Sequence, residues 1–158
     1  MKVVIFGNSG SGKSTLAAKL QAQYGLAHLD LDTVAWQPST RPVRTPLDDS
    51  SADISQFIGR HTGWVIEGCY ADLLEITLPY ATEIIYLNLS VADCITNAKK
   101  RPWEPHKYES KQAQDNNLEM LIDWIAKYPL RDDMFSQSAH LNLYKRYEGL
   151  KRMQTTNL

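Results

Sequence analysis

The feature that most restricts this chain is the run Gly7-Asn8-Ser9-Gly10-Ser11-Gly12-Lys13-Ser14, which satisfies the spacing G-x-x-x-x-G-K-[ST]. Upstream, Val3 to Phe6 is unbroken apolar sequence, the pattern of a strand buried on both faces of a parallel sheet. Downstream, Leu16, Ala17 and Leu20 share one face of a helix predicted over 13–23. Strand, glycine-rich turn and helix in that order aim successive backbone N–H groups, and a positive helix end, into one concave space. A polyphosphate fits that space. Lys13 then reaches the β- and γ-phosphates, and the Ser14 hydroxyl is placed to ligate Mg²⁺. The expected ligand is ATP with Mg²⁺, cradled by Gly7, Asn8, Ser9, Gly10, Ser11, Gly12, Lys13, Ser14 and Thr15.

The rest of the chain repeats the alternation of strand and helix. Strands are predicted over 26–31, 64–67, 83–89 and 149–153, and helices over 48–60, 91–100 and 133–147. A further amphipathic helix carries Leu118, Leu121, Ile122 and Ile125 and stops at Pro129. Asp48 or Ser50 is expected to cap the 48–60 helix, and Ser90 the 91–100 helix. The Pro- and Thr-rich stretch after Leu31 through Leu47 and the polar, aromatic stretch from Arg101 to Lys111 read as loops. Such a pattern argues for an α/β fold with a doubly wound parallel sheet, in one domain over 1–158. Ligands of these sheets sit beyond the carboxyl ends of the strands.

Acids stand at those ends. Asp30 and Asp32 close the second strand in His28-Leu29-Asp30-Leu31-Asp32, and alternation puts both on one side. The pair can share a metal shell or divide the work, Asp30 toward the metal and Asp32 toward the acceptor, whose attacking hydroxyl needs a carboxylate to orient it and take its proton. Glu67 ends Trp64-Val65-Ile66-Glu67-Gly68, where it can hold a metal-bound water. Trp36, Arg41 and Arg44 lie in the loop after the acid pair, where an anionic acceptor would be gripped. In the second half, Lys99, Lys100, Arg101, Lys107 and Lys111 surround Trp103, His106 and Tyr108. The cluster is compatible with a lid that neutralises a moving phosphoryl group, with a solvated face, or with single-stranded nucleic acid. Arg101 and Arg131 are the arginines expected to meet phosphate. His28, His61 and His140 show no metal spacing and read as structural.

Bulk properties exclude several classes. A formal net charge of −1 over 158 residues supplies no field toward nucleic acid or an anionic membrane. Two cysteines, Cys69 and Cys94, make no disulfide framework and fit a reducing cytosol. No apolar run approaches the ~20 residues of a membrane helix, and the N-terminal apolar stretch is too short for a signal peptide. A cytoplasmic protein is expected, of undetermined oligomeric state.

Together these motifs resemble the nucleoside monophosphate kinase and shikimate kinase group of P-loop kinases. Phe6-Gly7-Asn8-Ser9-Gly10-Ser11-Gly12-Lys13-Ser14-Thr15, Leu29-Asp30-Leu31-Asp32 with Trp36, and Trp64-Val65-Ile66-Glu67-Gly68-Cys69-Tyr70 look closer still to the adenylate-kinase-related proteins called topology modulation proteins. The resemblance implies a five-stranded parallel sheet of order 2-3-1-4-5 with helices on both faces and a lid, the lid and its flanking segment here spanning 101–131. It likens Asp30 and Asp32 to the D-x-D of shikimate kinases, Glu67-Gly68 to the Asp-Gly of adenylate kinases, and Arg131-Asp132-Asp133 to the R-x-D-D after the lid. Cys69-Tyr70-Ala71 departs from the Pro-Arg that adenylate kinases use to hold AMP, and the shikimate kinases' glycine triplet is missing. The expected activity is transfer of the ATP γ-phosphoryl group to a small molecule. The alternative is a regulatory ATPase of the topology modulation type, acting on nucleic acid or protein.

Overall fold

The computed structural model describes residues 1–38 and 42–157. Five strands, β1 (Lys2–Gly7), β2 (Ala27–Asp30), β3 (Trp64–Gly68), β4 (Glu83–Leu87) and β5 (Leu150–Gln154), pair in parallel in the order β2-β3-β1-β4-β5. Eight helices are seen among the described residues: α1 (Lys13–Tyr24), α2 (Asp32–Ala35), α3 (Leu47–Arg60), α4 (Ala71–Thr77), α5 (Val91–Lys100), α6 (Lys111–Asn116), α7 (Leu118–Ala126) and α8 (Gln137–Arg146).

The apolar run of β1 explains the layering. Val3 and Ile5 point to one face, where they meet Leu16, Ala17, Cys94 and Ile125 of α1, α5 and α7. Val4 and Phe6 point to the other, against Ile54, Leu73, Leu74 and Leu143 of α3, α4 and α8. Each such side chain, removed from water, contributes about 1.5–3 kcal/mol. Both faces of the sheet are therefore held by helices, as a parallel sheet requires.

Register places the chemistry. Asp30 lies opposite Glu67, Glu67 opposite Ile5, and β1 runs on to Gly7. The carboxyl ends of β2, β3 and β1 thus stand side by side, and the turn after β1 opens beside both acids. A buried polar chain pins the end of β3 from behind. His140 Nε2 donates to the Cys69 carbonyl at 2.8 Å, so Nδ1 is the acceptor for the Tyr128 hydroxyl at 2.6 Å, and Tyr128 in turn accepts from Tyr86 at 2.7 Å. Burial pushes His140 down to about 4, which keeps this tautomer neutral.

Several expected boundaries move, each for a local reason. Neither Asp48 nor Ser50 caps α3. The helix starts after Pro46, and Ser50 is buried, with its hydroxyl donating to the Val34 carbonyl at 2.8 Å. The 133–147 helix begins only at Gln137, because Asp133 closes a turn onto the Phe135 N–H and Ser136 caps the first turn through the Ala139 N–H. The stretch ending at Lys111 is followed directly by α6, which Ser110 caps. The α2 and α4 helices were not expected from periodicity; both are under eight residues and are held by packing of Ala35, Leu73 and Leu74. Within 101–131, the amphipathic stretch expected around Leu118 to Ile125 forms α7, which buries Ile125 in the core. Among the described residues no helix is long and apolar enough to cross a membrane.

Candidate active site

A cleft of about 1020 Å³ lies at the carboxyl ends of the strands. Ser9 to Leu16 form one side, Asp30, Asp32, Trp36, Glu67 and Tyr70 the other, and Arg101, Glu104, Lys107 and Tyr108 the roof. Its size matches a ligand site large enough for a nucleotide together with a second small molecule.

The glycine-rich turn is held rigidly from three directions. Asn97 of α5 donates to the Gly10 carbonyl at 2.8 Å, and Asn8 turns its buried amide away to the Ile125 carbonyl of α7 at 3.2 Å. Gly10 has φ +78°, and a Cβ there would collide with the Cys94 carbonyl. Only glycine fits that contact. Gly12 also has positive φ, +92°, where the chain turns into α1. Lys13 curls back so that Nζ donates to the Asn8 carbonyl at 2.7 Å, and Ser11 keeps a buried hydroxyl with no protein partner. Gly7 and Asn8 do not line the cleft among the described residues, so they serve the turn through its backbone.

Facing the turn is an acid cluster. The Ser14 hydroxyl donates to Glu67 Oε1 at 3.1 Å. His28 Nε2 stands 3.6 Å from the same oxygen, beyond hydrogen-bond distance. Burial pushes the Glu67 carboxyl up, but His28, Lys13 and Lys107 outweigh it and hold the group ionised, below the usual range. Asp30 Oδ1 accepts the Asp32 N–H at 2.9 Å, an Asx turn that ends β2 and starts α2. This turn, and not strand alternation, brings the two acids together. Burial, reinforced by Glu67 and Asp32, pushes Asp30 up to about 6. Burial also acts upward on Asp32, yet Lys107 and the Tyr70 hydroxyl overcome it and hold Asp32 low. Lys107 Nζ lies 2.8 Å from Asp32 Oδ2 and 3.6 Å from Asp30 Oδ2.

The described residues contain no group of three or more His, Cys, Asp or Glu side chains arranged to hold a metal. Ser14 and Glu67 nevertheless offer two adjacent hard oxygens beside the turn, which suits a cation that takes its remaining ligands from phosphate and water.

The predicted acceptor residues divide. Trp36 lines the cleft, but its indole N–H donates to the Tyr70 hydroxyl at 2.8 Å, and Tyr70 donates to Asp32 Oδ1. Arg44 is committed elsewhere: it pairs with Asp72 at 3.1 Å and packs over the rings of Tyr70 and Trp36, at 5.0 and 5.9 Å from their centroids. It supports the aromatic wall and does not line the cleft. Arg41 lies outside the described residues. Arg101 lines the cleft and pairs with Glu104 at 3.2 Å. Arg131, expected to meet phosphate, does not line the cleft. Its guanidinium lies 3.5 Å from the Trp124 ring centroid and donates to the Trp124 carbonyl at 2.6 Å. Trp124, which does line the cleft, claims that cation first.

Four participants escaped sequence reasoning: Tyr70, Lys107 as a partner of the acids, Glu104, and His28. A tyrosine two residues past a strand end, or one lysine in a basic run, carries no periodic signal. Cys69 also lines the cleft, and burial pushes its thiol up to about 12, which favours the protonated form.

No protein-family model matches the chain, and neither does any curated protein. Among solved structures, the chain is similar to a deoxyadenosine kinase from M. mycoides with bound dATP, with a TM-score of 0.52, 15% identity, and coverage of 98% of this chain and 91% of that one. At that identity the likeness speaks for architecture alone, and it agrees with the parallel β2-β3-β1-β4-β5 sheet: the chain shares the α/β fold of that structure.

Proposed function

We propose that this protein is an ATP-dependent phosphotransferase that moves the γ-phosphoryl group to a hydroxyl or phosphate of a small molecule. One observation carries the reading. The phosphate-cradling turn and the Asp30–Asp32 pair face each other across a single cleft, which also has room for an acceptor. The neighbour solved with dATP supports a nucleotide as ligand of the turn.

In this reading, amides of Gly10 to Thr15 bind the β- and γ-phosphates, and Lys13 swings from the Asn8 carbonyl onto them. Ser14 and Glu67 would hold the Mg²⁺ that accompanies ATP, with Asp30 behind them, and that ion would offset phosphate charge. The acceptor lies against Trp36, Tyr70 and Trp124, with its oxygen at Asp32. That oxygen forms a bond to the γ-phosphorus, the bond from phosphorus to the bridging oxygen breaks, and ADP leaves with the electron pair. Asp32, ionised and a weak base, orients the attacking group and takes a hydroxyl proton late, as suits a loose transition state. Arg101 faces the moving charge from the roof. Arg131 shapes the wall through Trp124.

Calorimetry with MgATP, followed by a screen of alcohols, sugars, nucleosides and nucleotides with γ-labelled ATP, tests this. The expected result is labelled acceptor. ATP turnover that no acceptor accelerates would instead support the regulatory ATPase. In Asp32→Asn, MgATP affinity should stay within about twofold while transfer falls at least about a hundredfold. Equal loss of both would move Asp32 to metal duty.

A further inference from the structure

The segment Arg101 to Ser110 is tied mostly to itself and to the helices after it. Trp103 Nε1 donates to the Tyr108 carbonyl, Gln114 reaches the Pro102 carbonyl and the Glu104 N–H, and Asn117 donates to the Tyr108 hydroxyl. Glu104 collects Arg101 at 3.2 Å and His106 at 3.7 Å. Among the described residues, one polar side chain crosses the cleft to the β2 side: Lys107. Its Nζ lies 2.8 Å from Asp32 and 3.6 Å from Asp30, with Glu104 of its own segment 3.5 Å away. The contact is largely dry, with the Lys107 side chain 24% exposed, Asp30 13% and Asp32 34%.

Asp32 is consequently gripped at both oxygens. Tyr70, itself fixed by Trp36, holds Oδ1 from the sheet side, and Lys107 holds Oδ2 from the roof. A carboxylate with one partner can rotate; with two from opposite sides it has one orientation. The Tyr70 partner is permanent, because Tyr70 is buried in the core. The Lys107 partner is present only when the segment lies over the cleft.

We propose that Lys107 is a positioning residue for Asp32 and the single-point latch of the roof, so that closing the segment and orienting the acceptor carboxylate are one event. The link to transfer rests on the phosphotransferase reading, whereas the latch itself does not. An alcohol entering an open cleft would meet a loosely held Asp32. Transfer geometry is completed when the roof comes down, which also removes water from the reacting groups.

Hydrogen exchange of the ligand-free protein separates the two ideas, because it needs no nucleotide. Lys107→Met should raise exchange of the amides from Trp103 to Tyr108 about tenfold while β1 to β4 stay protected, and Lys107→Arg should restore much of the protection. Asp32→Asn should raise it similarly, and the double variant should add little to either single one, since all three remove the same contact. Unchanged protection in Lys107→Met, or additive effects in the double variant, would overturn the latch. A protein that fails to bind MgATP yet shows these exchange effects would sink the phosphotransferase reading and leave the latch standing.

Discussion

The two sides of the cleft are built in opposite ways. The side proposed for phosphate is backbone: one stretch from Gly7 to Ser14, bent by glycines and held by Asn97, Asn8 and the close Cys94 carbonyl. The side proposed for the acceptor is side chains from four separate places, Asp30 to Trp36, Glu67 to Tyr70, Glu104 to Lys107, and Trp124. A backbone site has little freedom, so it tolerates few changes and varies little with its surroundings. A side-chain site depends on which partners arrive, and its charges can be rebalanced one group at a time.

If that contrast is right, the largest effect comes from the turn. Gly10→Ala puts a methyl group into the Cys94 carbonyl and strains a left-handed residue, and should cost about 4 kcal/mol by urea denaturation. A loss under about 1 kcal/mol would mean that the turn is pliable after all. Lys13→Ala comes next, lowering MgATP affinity about a hundredfold in calorimetry with native circular dichroism, since the proposed function puts this side chain on the phosphates and it packs on no part of the core. Nucleotide binding that survives in the folded variant breaks the assignment.

The acid side is sharpened by pH. His140 is held neutral, down at about 4, so acidification from its unfolded value near 6.5 protonates the unfolded chain first and lowers stability. Asp30 acts in the opposite sense: raised to about 6, it regains its proton in the folded protein first, so stability rises as pH falls toward 4. Between pH 6.5 and 4.5 these two opposed contributions should nearly cancel. Asp30→Asn removes one of them, and its stability should then fall by about 2 kcal/mol over the same interval, measured by denaturant titration at each pH. A variant as flat as the native protein would show that the acid side is not electrostatically strained.

Sequence legibility follows the same division. The turn from Gly7 to Ser14 could be read directly, because a glycine-rich bend between strand and helix is a local property of consecutive residues. The strands β1, β3 and β4 were legible because burial on both faces demands unbroken apolar runs. Their ends were less so: β4 stops at Leu87, two residues short of the expected end and level with Gln154, the last residue of its partner β5. Asp30, Asp32 and Glu67 were found as acids at strand ends, which says what they are near in sequence and nothing about what pairs with them. Arg44 and Arg131 show the cost of that gap, since nearby aromatic faces and acids compete for any arginine within reach.

What the sequence determined alone was the glycine-rich turn after β1 and the doubly wound pattern, both products of spacing between neighbours along the chain. Only the tertiary structure decided that Lys107 meets Asp32, that Tyr70 faces it from the other side, and that His28 approaches Glu67. Those encounters join residues dozens of positions apart, and they are set by the register of β2 on β3 and by where the roof segment lies over the cleft, which no local pattern records.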